Sequence, residues 1–341
     1  MFSVTMYYRE NCPACDLARK YLDELITDIP HRLVLVDIAT DPVLLAEYAD
    51  QVPYIVAGPY RLRKDFGRDE LRVALLSASE RHQQLIETSD KPYLDRLKRS
   101  ENFTRTDGFS YWLSKHYMLV FNLLLFIYVG LPFAAPVFME LGLTAPAKTI
   151  YTIYSPLCHQ LTFRSFFLFG EQPYYPRELA NVPVDIHFED IAAQYDLDYI
   201  KARSFIGDPV YGYKVALCER DVAIYGMLLL FGVIFSLTGR KIKSLPWYLW
   251  LLFAIIPMGL DGVSQLPSLM GAVIPSWLPI RESTPFLRLL TGGLFGWFTG
   301  WYLYPYIEES MRGTRTLMAK KQAVVKQIKS VPDAEQEPRA V

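Results

Sequence analysis

The sequence has few cysteines and almost no net charge. Only four cysteines occur in 341 residues, too few for a fold that is held together by disulfides. The 35 Lys and Arg residues nearly balance the 36 Asp and Glu residues, and a net charge of −1 gives no general attraction for nucleic acid. The first residues, MFSVTMYY, run directly into a strand-like pattern, so we expect no signal peptide.

Long apolar runs are confined to one part of the chain. Residues 1–115 are charged and mixed, whereas residues 117–307 contain the apolar stretches. A helix needs about 20 apolar residues to cross a bilayer. We therefore predict an all-α bundle of four transmembrane helices, at residues 117–139, 222–239, 245–260 and 289–307. Residues 260–280 are ambiguous because glycines and prolines interrupt their apolar run.

The same pattern divides the chain into segments. A soluble α/β domain comes first, then a charged connector that we predict to form a surface helix and a loop. The membrane domain follows, with one large segment outside the membrane, and a basic tail ends the chain. The predicted bounds are 1–80, 81–116, 117–307 with the outer segment at 140–220, and 308–341, disordered from Val331.

Basic residues predict the orientation in the membrane. Short cytoplasmic loops carry an excess of Lys and Arg. Arg240, Lys241 and Lys243 lie between the second and third predicted helices, and other basic residues precede the first helix and follow the fourth. Both ends of the chain are then cytoplasmic, and residues 140–220 are not. We expect a multi-pass protein of the cytoplasmic membrane, with the lipid bilayer as a partner.

The soluble domain begins with a strand that leads into a cysteine motif. Residues 2–8 alternate in polarity and are rich in β-formers, and Cys12-Pro13-Ala14-Cys15 follows at the start of an amphipathic helix. A cysteine at a helix N-terminus has its thiolate stabilised. Further elements are predicted as a strand at 32–38, a helix at 41–48, a strand from 52 and a helix at 69–77.

This order of elements, with CPAC on the first helix and a later Val52-Pro53, resembles the glutaredoxin-like proteins of the thioredoxin superfamily. The resemblance implies that Cys12 is the nucleophilic thiol, Cys15 the resolving thiol and Pro53 a cis-proline that faces them. The Gly-Gly step with which glutaredoxins hold glutathione is replaced by residues 62–67, LRKDFG, which puts glutathione binding in doubt. An inert docking module is the alternative, and zinc is the weakest one because no second Cys or His pair lies nearby.

Four polar clusters of the membrane domain should meet at its outer surface. If the helices are placed correctly, each cluster begins or ends a helix on that side. Ionisable groups beside a bilayer are costly unless they are paired, so these side chains are candidates for function. The alternative is a structural ion-pair network, such as Asp261 with Arg164 or Arg288. The candidates are Cys158, His159, Gln160 and Arg164; Cys218, Arg220 and Asp221; Asp261 and Gln265; Glu282 and Arg288.

As a set, these motifs resemble an uncharacterised prokaryotic family of small membrane proteins, domain of unknown function 2085. The resemblance rests on CHQ with RSF, CERD with a later YG, DG with a later Q, and RES with a later TGG. Many members of that family look as if they carry CxRC where this chain has Cys218-Glu219-Arg220-Asp221. The family brings no activity that can be transferred.

The outer cluster allows three kinds of chemistry. Cys158, His159, Cys218 and Asp221 could form a four-ligand zinc or iron site. Cys158 and Cys218 could instead form a disulfide or be inert. The outer face lacks the CxxC pair that a quinone-linked thiol oxidase of the four-helix type requires, which argues against that class.

Three functions follow from these motifs. The first is a membrane-anchored thiol–disulfide oxidoreductase that acts on a thiol protein or a small molecule. The second is a metal-binding membrane protein or transporter whose soluble domain docks or senses. The third is a structural or docking protein.

Overall fold

The computed structural model describes residues 1–198, 201–266 and 280–330. Within it the chain forms two compact units, which are described separately. The first contains Met1–His116 and the chain from Ser310 onward, and the second is Tyr117–Glu309.

The first unit is built on a four-stranded mixed sheet. Its strand order is β2-β1-β3-β4, with β1 parallel to β2 and the other two pairs antiparallel. Its core contains buried apolar residues from the sheet and the first three helices. The elements are β1 (Phe2–Tyr8), α1 (Pro13–Leu25), β2 (His31–Asp37), α2 (Pro42–Tyr48), β3 (Tyr54–Ala57), β4 (Tyr60–Leu62) and α3 (Arg68–Glu87). The predicted thioredoxin-like α/β fold is consistent with this arrangement.

Local sequence explains where these elements begin. The Asp41 carboxylate accepts a hydrogen bond from the backbone N–H of Val43 at 2.7 Å, and Pro42 fits the first turn of α2. Helix α3 continues ten residues beyond the predicted end at Ser77, to Glu87. It continues because Ala78 and His82 are buried on the same face as the earlier turns.

The first unit also includes the connector and the end of the last helix. The connector forms α4 (Lys91–Ser100) and the start of α5 (Arg105–Glu140). The last helix, Pro285–Ser330, buries Ala319 and Val325, and its Lys321 ammonium binds Asp107 at 2.7 Å. Residues 310–330, predicted as a basic tail, are therefore part of a packed helix. The predicted disorder of residues 331–341 lies outside the described residues.

The second unit is mainly helical. Its elements are the second part of α5, α6 (Thr144–Tyr154), α7 (Phe188–Tyr195), α8 (Glu219–Leu237), α9 (Trp247–Val263) and the first part of α10 (Pro285–Ser330). In the described part of the chain, α5 and α8 are long and apolar enough to cross a membrane. The third predicted span falls in α9, a shorter apolar helix that includes a π-helical turn, and the fourth in α10. The four-span bundle is therefore not confirmed, and part of residues 260–280 lies outside the described residues.

Residues 140–220, predicted as a segment outside the membrane, contain a small β-sheet that the prediction of an all-α membrane bundle did not include. Strands β5 (Ser165–Leu168), β6 (Gly207–Asp208) and β7 (Gly212–Cys218) form an antiparallel sheet in the order β5-β7-β6. The tight β6–β7 turn depends on Gly212, whose φ is +75°. Strands β5 and β6 are short and β7 does not alternate in burial, so the sequence contains no clear strand pattern here.

Glycines of α10 allow a close approach to α8. A Cβ at Gly292 would lie 2.7 Å from the Arg220 carbonyl oxygen, and one at Gly296 would overlap the carbonyl oxygen of Ile224. Only glycine leaves room for the two backbones at this distance, a packing that is common between membrane helices. The crossing places the first turn of α8 beside the first turns of α10.

Candidate functional site

The predicted redox motif lies at the start of α1. Cys12 caps this helix, and its Sγ accepts a hydrogen bond from the backbone N–H of Cys15 at 3.2 Å. The two cysteines are joined by a disulfide, with Cα atoms 5.2 Å apart. Cys12 is the more exposed of the two, at 8% against 3%. Because amide N–H groups at a helix start stabilise an anion, the motif favours a thiolate at Cys12 once the disulfide is reduced.

Pro53 precedes β3 and is buried. The Val52–Pro53 peptide bond is cis, which is the form that the glutaredoxin resemblance implies. The catalytic roles assigned to Cys12, Cys15 and Pro53 stay predictions.

Three tyrosines of the core of the first unit pack together. The ring of Tyr48 lies 4.7 Å from that of Tyr7 and 4.8 Å from that of Tyr54, measured between centroids. The Lys320 ammonium lies 4.8 Å from the Tyr48 ring centroid. Burial raises the pKa of Tyr48 and lowers the pKa of Lys320. This cation–π contact joins the end of α10 to the end of α2 within the first unit.

The structure brings together two of the predicted outer cysteines and Asp221. The Sγ atoms of Cys158 and Cys218 and a carboxylate oxygen of Asp221 all lie within 4.8 Å of one another. Both cysteines are free thiols. The backbone N–H of Cys218 donates to the Cys158 Sγ at 3.3 Å, and that of Asp221 donates to the Cys218 Sγ at 3.5 Å. Whether these atoms hold a metal stays a prediction.

The two thiols differ in their acidity. A hydrogen bond from the Cys218 side chain holds the pKa of Cys158 below its ordinary value. The same hydrogen bond raises the pKa of Cys218, and burial raises it further.

His159 and Gln160 do not join this group. His159 is exposed, and the backbone turns at Gln160, whose φ is +52°. The Gln160 side chain turns inward instead, where its Nε2 donates to the Tyr151 carbonyl oxygen at 2.9 Å. The predicted four-ligand set therefore reduces to three of its members, because Cys158 and His159 face different environments.

A buried lysine holds this turn in place. Lys214 is 1% exposed, and its Nζ donates to the carbonyl oxygens of Gln160 at 2.9 Å and Arg203 at 2.6 Å. Burial lowers the pKa of Lys214 to about 7. Nothing in the sequence distinguishes Lys214 from a surface lysine, and it was missed for that reason.

Asp261 is the centre of one ion-pair network. Arg220 forms an ion pair with its carboxylate, Arg281 approaches at 3.2 Å and the Ser283 hydroxyl donates at 2.9 Å. Gln265 donates to the Asp261 carbonyl oxygen at 2.7 Å. Asp261, Gln265 and Arg220 thus meet as expected. Arg281 and Ser283 belong to the RES motif and join the same network.

A second network joins Glu219, Glu282, Arg164 and Arg288. Arg288 binds Glu219 at 3.0 Å and Glu282 at 2.7 Å, while the Arg164 Nε donates to Glu282 at 2.9 Å. The suggested pairing of Asp261 with Arg164 or Arg288 is therefore wrong. Glu282 binds both guanidinium groups, whereas its neighbour Arg281 belongs to the Asp261 network.

Glu219 is the most informative residue that sequence reasoning missed. Its side chain is fully buried in the first turn of α8, and its Oε1 has no hydrogen-bond partner among the described residues. A glutamate at the start of an apolar helix was a usable signal, since such a charge needs a buried partner.

Comparison with known proteins supports the family resemblance that was predicted for each of the two parts of the chain. Residues 3–78 match the family described as glutaredoxin-like domain (DUF836), and residues 200–302 match predicted membrane protein (DUF2085). Uncharacterized protein MJ1492 of Methanocaldococcus jannaschii is 28% identical over 206 residues, which cover 58% of this chain and 96% of the relative. No solved structure matches the chain significantly. The chain thus combines a glutaredoxin-like domain with a domain similar to the DUF2085 predicted membrane proteins.

Proposed function

We propose that the chain is a membrane-anchored thiol–disulfide oxidoreductase whose reactive centre is Cys12–Cys15. The observation that carries this proposal is the position of the Cys12 Sγ, at the start of α1 and within 3.2 Å of the Cys15 amide N–H. The match of residues 3–78 to the glutaredoxin-like family supports it. The same arrangement is what a thiolate nucleophile requires.

The reaction transfers two electrons through a mixed disulfide. The Cys12 thiolate attacks one sulfur of a substrate disulfide, which forms a Cys12–substrate disulfide and releases the other substrate sulfur as a thiolate. The Cys15 thiol loses its proton and attacks the Cys12 sulfur, which releases the second substrate thiolate. The substrate is reduced to two thiols, and Cys12–Cys15 is oxidised to the disulfide seen in the structure. A dithiol reductant returns the two electrons.

The proposed topology places this reaction on the cytoplasmic side. Basic residues 240–243 and 312–329 favour a cytoplasmic location for the segments that contain them. By the same proposal, the thiols Cys158 and Cys218 lie on the other side of the membrane.

A redox titration of the full chain in lipid nanodiscs tests the proposal. We equilibrate it in dithiol–disulfide buffers, alkylate the free thiols and measure the Cys12 and Cys15 peptides by mass spectrometry. We expect a reversible two-electron transition at a potential of about −180 to −270 mV, as in related thiol oxidoreductases. Cys12→Ser abolishes reaction with a substrate disulfide, whereas Cys15→Ser stops at the mixed disulfide. An irreversible or absent transition contradicts the proposal.

A further inference from the structure

The outer group of two sulfurs and one carboxylate has dimensions that suit one metal ion. Its three donor atoms lie within 4.8 Å of one another. Zinc binds thiolate sulfur at about 2.3 Å, which sets two sulfurs of one tetrahedral site about 3.8 Å apart. The separation of the donor atoms is therefore close to what one metal ion needs.

The backbone holds each donor independently. Cys218 ends β7 and caps α8, and Asp221 follows one helical turn later on the same face. Cys158 comes from a separate element, just after α6, where its N–H donates to the Tyr154 carbonyl oxygen at 2.9 Å. Backbone N–H groups already donate to both sulfurs. Such hydrogen bonds stabilise thiolates and orient metal ligands.

The surroundings of the sulfurs are apolar. Cys158 belongs to a buried cluster with Tyr151, Tyr154, Ala216 and Leu217, and Cys218 packs against the same cluster. An apolar shell lowers the local dielectric and so strengthens the attraction between a metal ion and its anionic ligands. One divalent ion offsets most of the charge on two thiolates and a carboxylate.

Two ion-pair networks fix the turn that carries two of the donors. Glu219 and Arg220 lie between Cys218 and Asp221 in sequence. Glu219 is bound by Arg288 at 3.0 Å, and Arg220 pairs with Asp261. These contacts prevent the first turn of α8 from rotating, so the donors are held in place before any ion arrives.

We propose that Cys158, Cys218 and Asp221 bind one zinc-type divalent metal ion and leave its fourth position open. Two sulfurs and one oxygen in a tetrahedral arrangement favour zinc over magnesium or calcium. Binding releases the protons of the two thiols and needs no oxidant or reductant. An open fourth position accepts water or a small-molecule ligand. This inference does not depend on the redox proposal, because the donors are in the second unit.

Metal analysis of the purified full chain tests it. After incubation with zinc and removal of the excess, we expect one zinc per chain by mass spectrometry, and none in Cys158→Ser or Cys218→Ser. The matched control His159→Gln keeps one zinc, since His159 is exposed and outside the group. Asp221→Cys also keeps it, because a thiolate replaces the carboxylate. Cobalt in place of zinc gives a thiolate-to-metal charge-transfer band that Cys218→Ser abolishes.

A second measurement needs no variant. With Cys12–Cys15 kept oxidised, a chelator should make two thiols reactive in the wild-type chain, and added zinc should protect them again. Three results overturn the proposal: no zinc in the wild-type chain, zinc that both cysteine variants retain, or a Cys158–Cys218 disulfide in the chain as isolated. The redox titration measures Cys12 and Cys15, and the metal analysis measures Cys158 and Cys218. Either proposal can therefore fail without affecting the other.

Discussion

The guanidinium of Arg288 donates to the carboxylate of Glu219 at 3.0 Å, across 69 positions of sequence. Arg288 lies in the first turn of α10 and Glu219 in the first turn of α8. Arg288 is 3% exposed at its side chain and Glu219 is fully buried. The pair therefore connects the starts of two helices at a place from which water is excluded.

Replacing Arg288 with Met should destabilise the second unit strongly. The change leaves the buried carboxylate of Glu219 without its cation, which typically costs about 3–5 kcal/mol. The free energy of unfolding in detergent measures the loss. Arg177→Met is the matched control, because the Arg177–Glu189 pair at 3.3 Å is partly exposed and should contribute at most about 1 kcal/mol. Equal losses in the two variants would contradict this account of the network.

Replacing Gly296 with Ala should separate α8 from α10. The new Cβ overlaps the Ile224 carbonyl oxygen, so we expect destabilisation of about 1–3 kcal/mol. Gly226→Ala is the control, since a Cβ there meets no atom within 4 Å. In the control, the better helix propensity of Ala should leave stability unchanged or raise it by up to about 1 kcal/mol. Similar thermal unfolding of the two variants would show that the crossing is looser than described.

Sequence patterns predicted the structure best where the conformation of a residue depends on its near neighbours in sequence. A strand followed by CPAC, and Asp41-Pro42 before an apolar helix, specify local structure through strand alternation and helix capping, and both elements formed where expected. The closeness of Cys158 and Cys218 could be predicted because each adjoins a helix end, which limits its position. The spacing of Cys218 and Asp221 likewise indicated a shared helical face.

Sequence patterns did not predict which residues contact each other when the two are distant in sequence. Charge and spacing could not decide whether Arg288 pairs with Asp261 or with Glu282, since all three reach the same end of the helices. The small sheet of β5, β6 and β7 and the packing of residues 310–330 depend on tertiary contacts that no short window of sequence contains. His159 was misplaced because adjacent residues can face opposite ways where the chain turns at Gln160.

After reduction, Cys12 should be alkylated before Cys15 at mildly acidic pH. Cys12 is more exposed and lies at the helix start, where amide N–H groups stabilise its thiolate. Brief labelling, followed by mass spectrometry of the two peptides, gives the order. Equal labelling of both cysteines would argue against Cys12 as the nucleophile.

Single cysteines at Asp198 and Ser330 should report opposite sides of the membrane. Both positions are exposed, and they lie in the proposed outer segment and beyond the last proposed span. A membrane-impermeant thiol reagent applied to intact cells should label the cysteine at 198 but reach the one at 330 only after lysis. Labelling of both positions in intact cells would rule out the proposed topology.

The rate at which the reduced chain exchanges with a small disulfide tests the central claim most directly. We measure it with the full chain in nanodiscs, for the wild type and for Cys12→Ser, with His159→Gln as a control. The account predicts a fast reaction of the wild type that ends in the Cys12–Cys15 disulfide, an unchanged rate for the control and a rate near background for Cys12→Ser. A Cys12→Ser chain that reacts as fast as the wild type would contradict the claim.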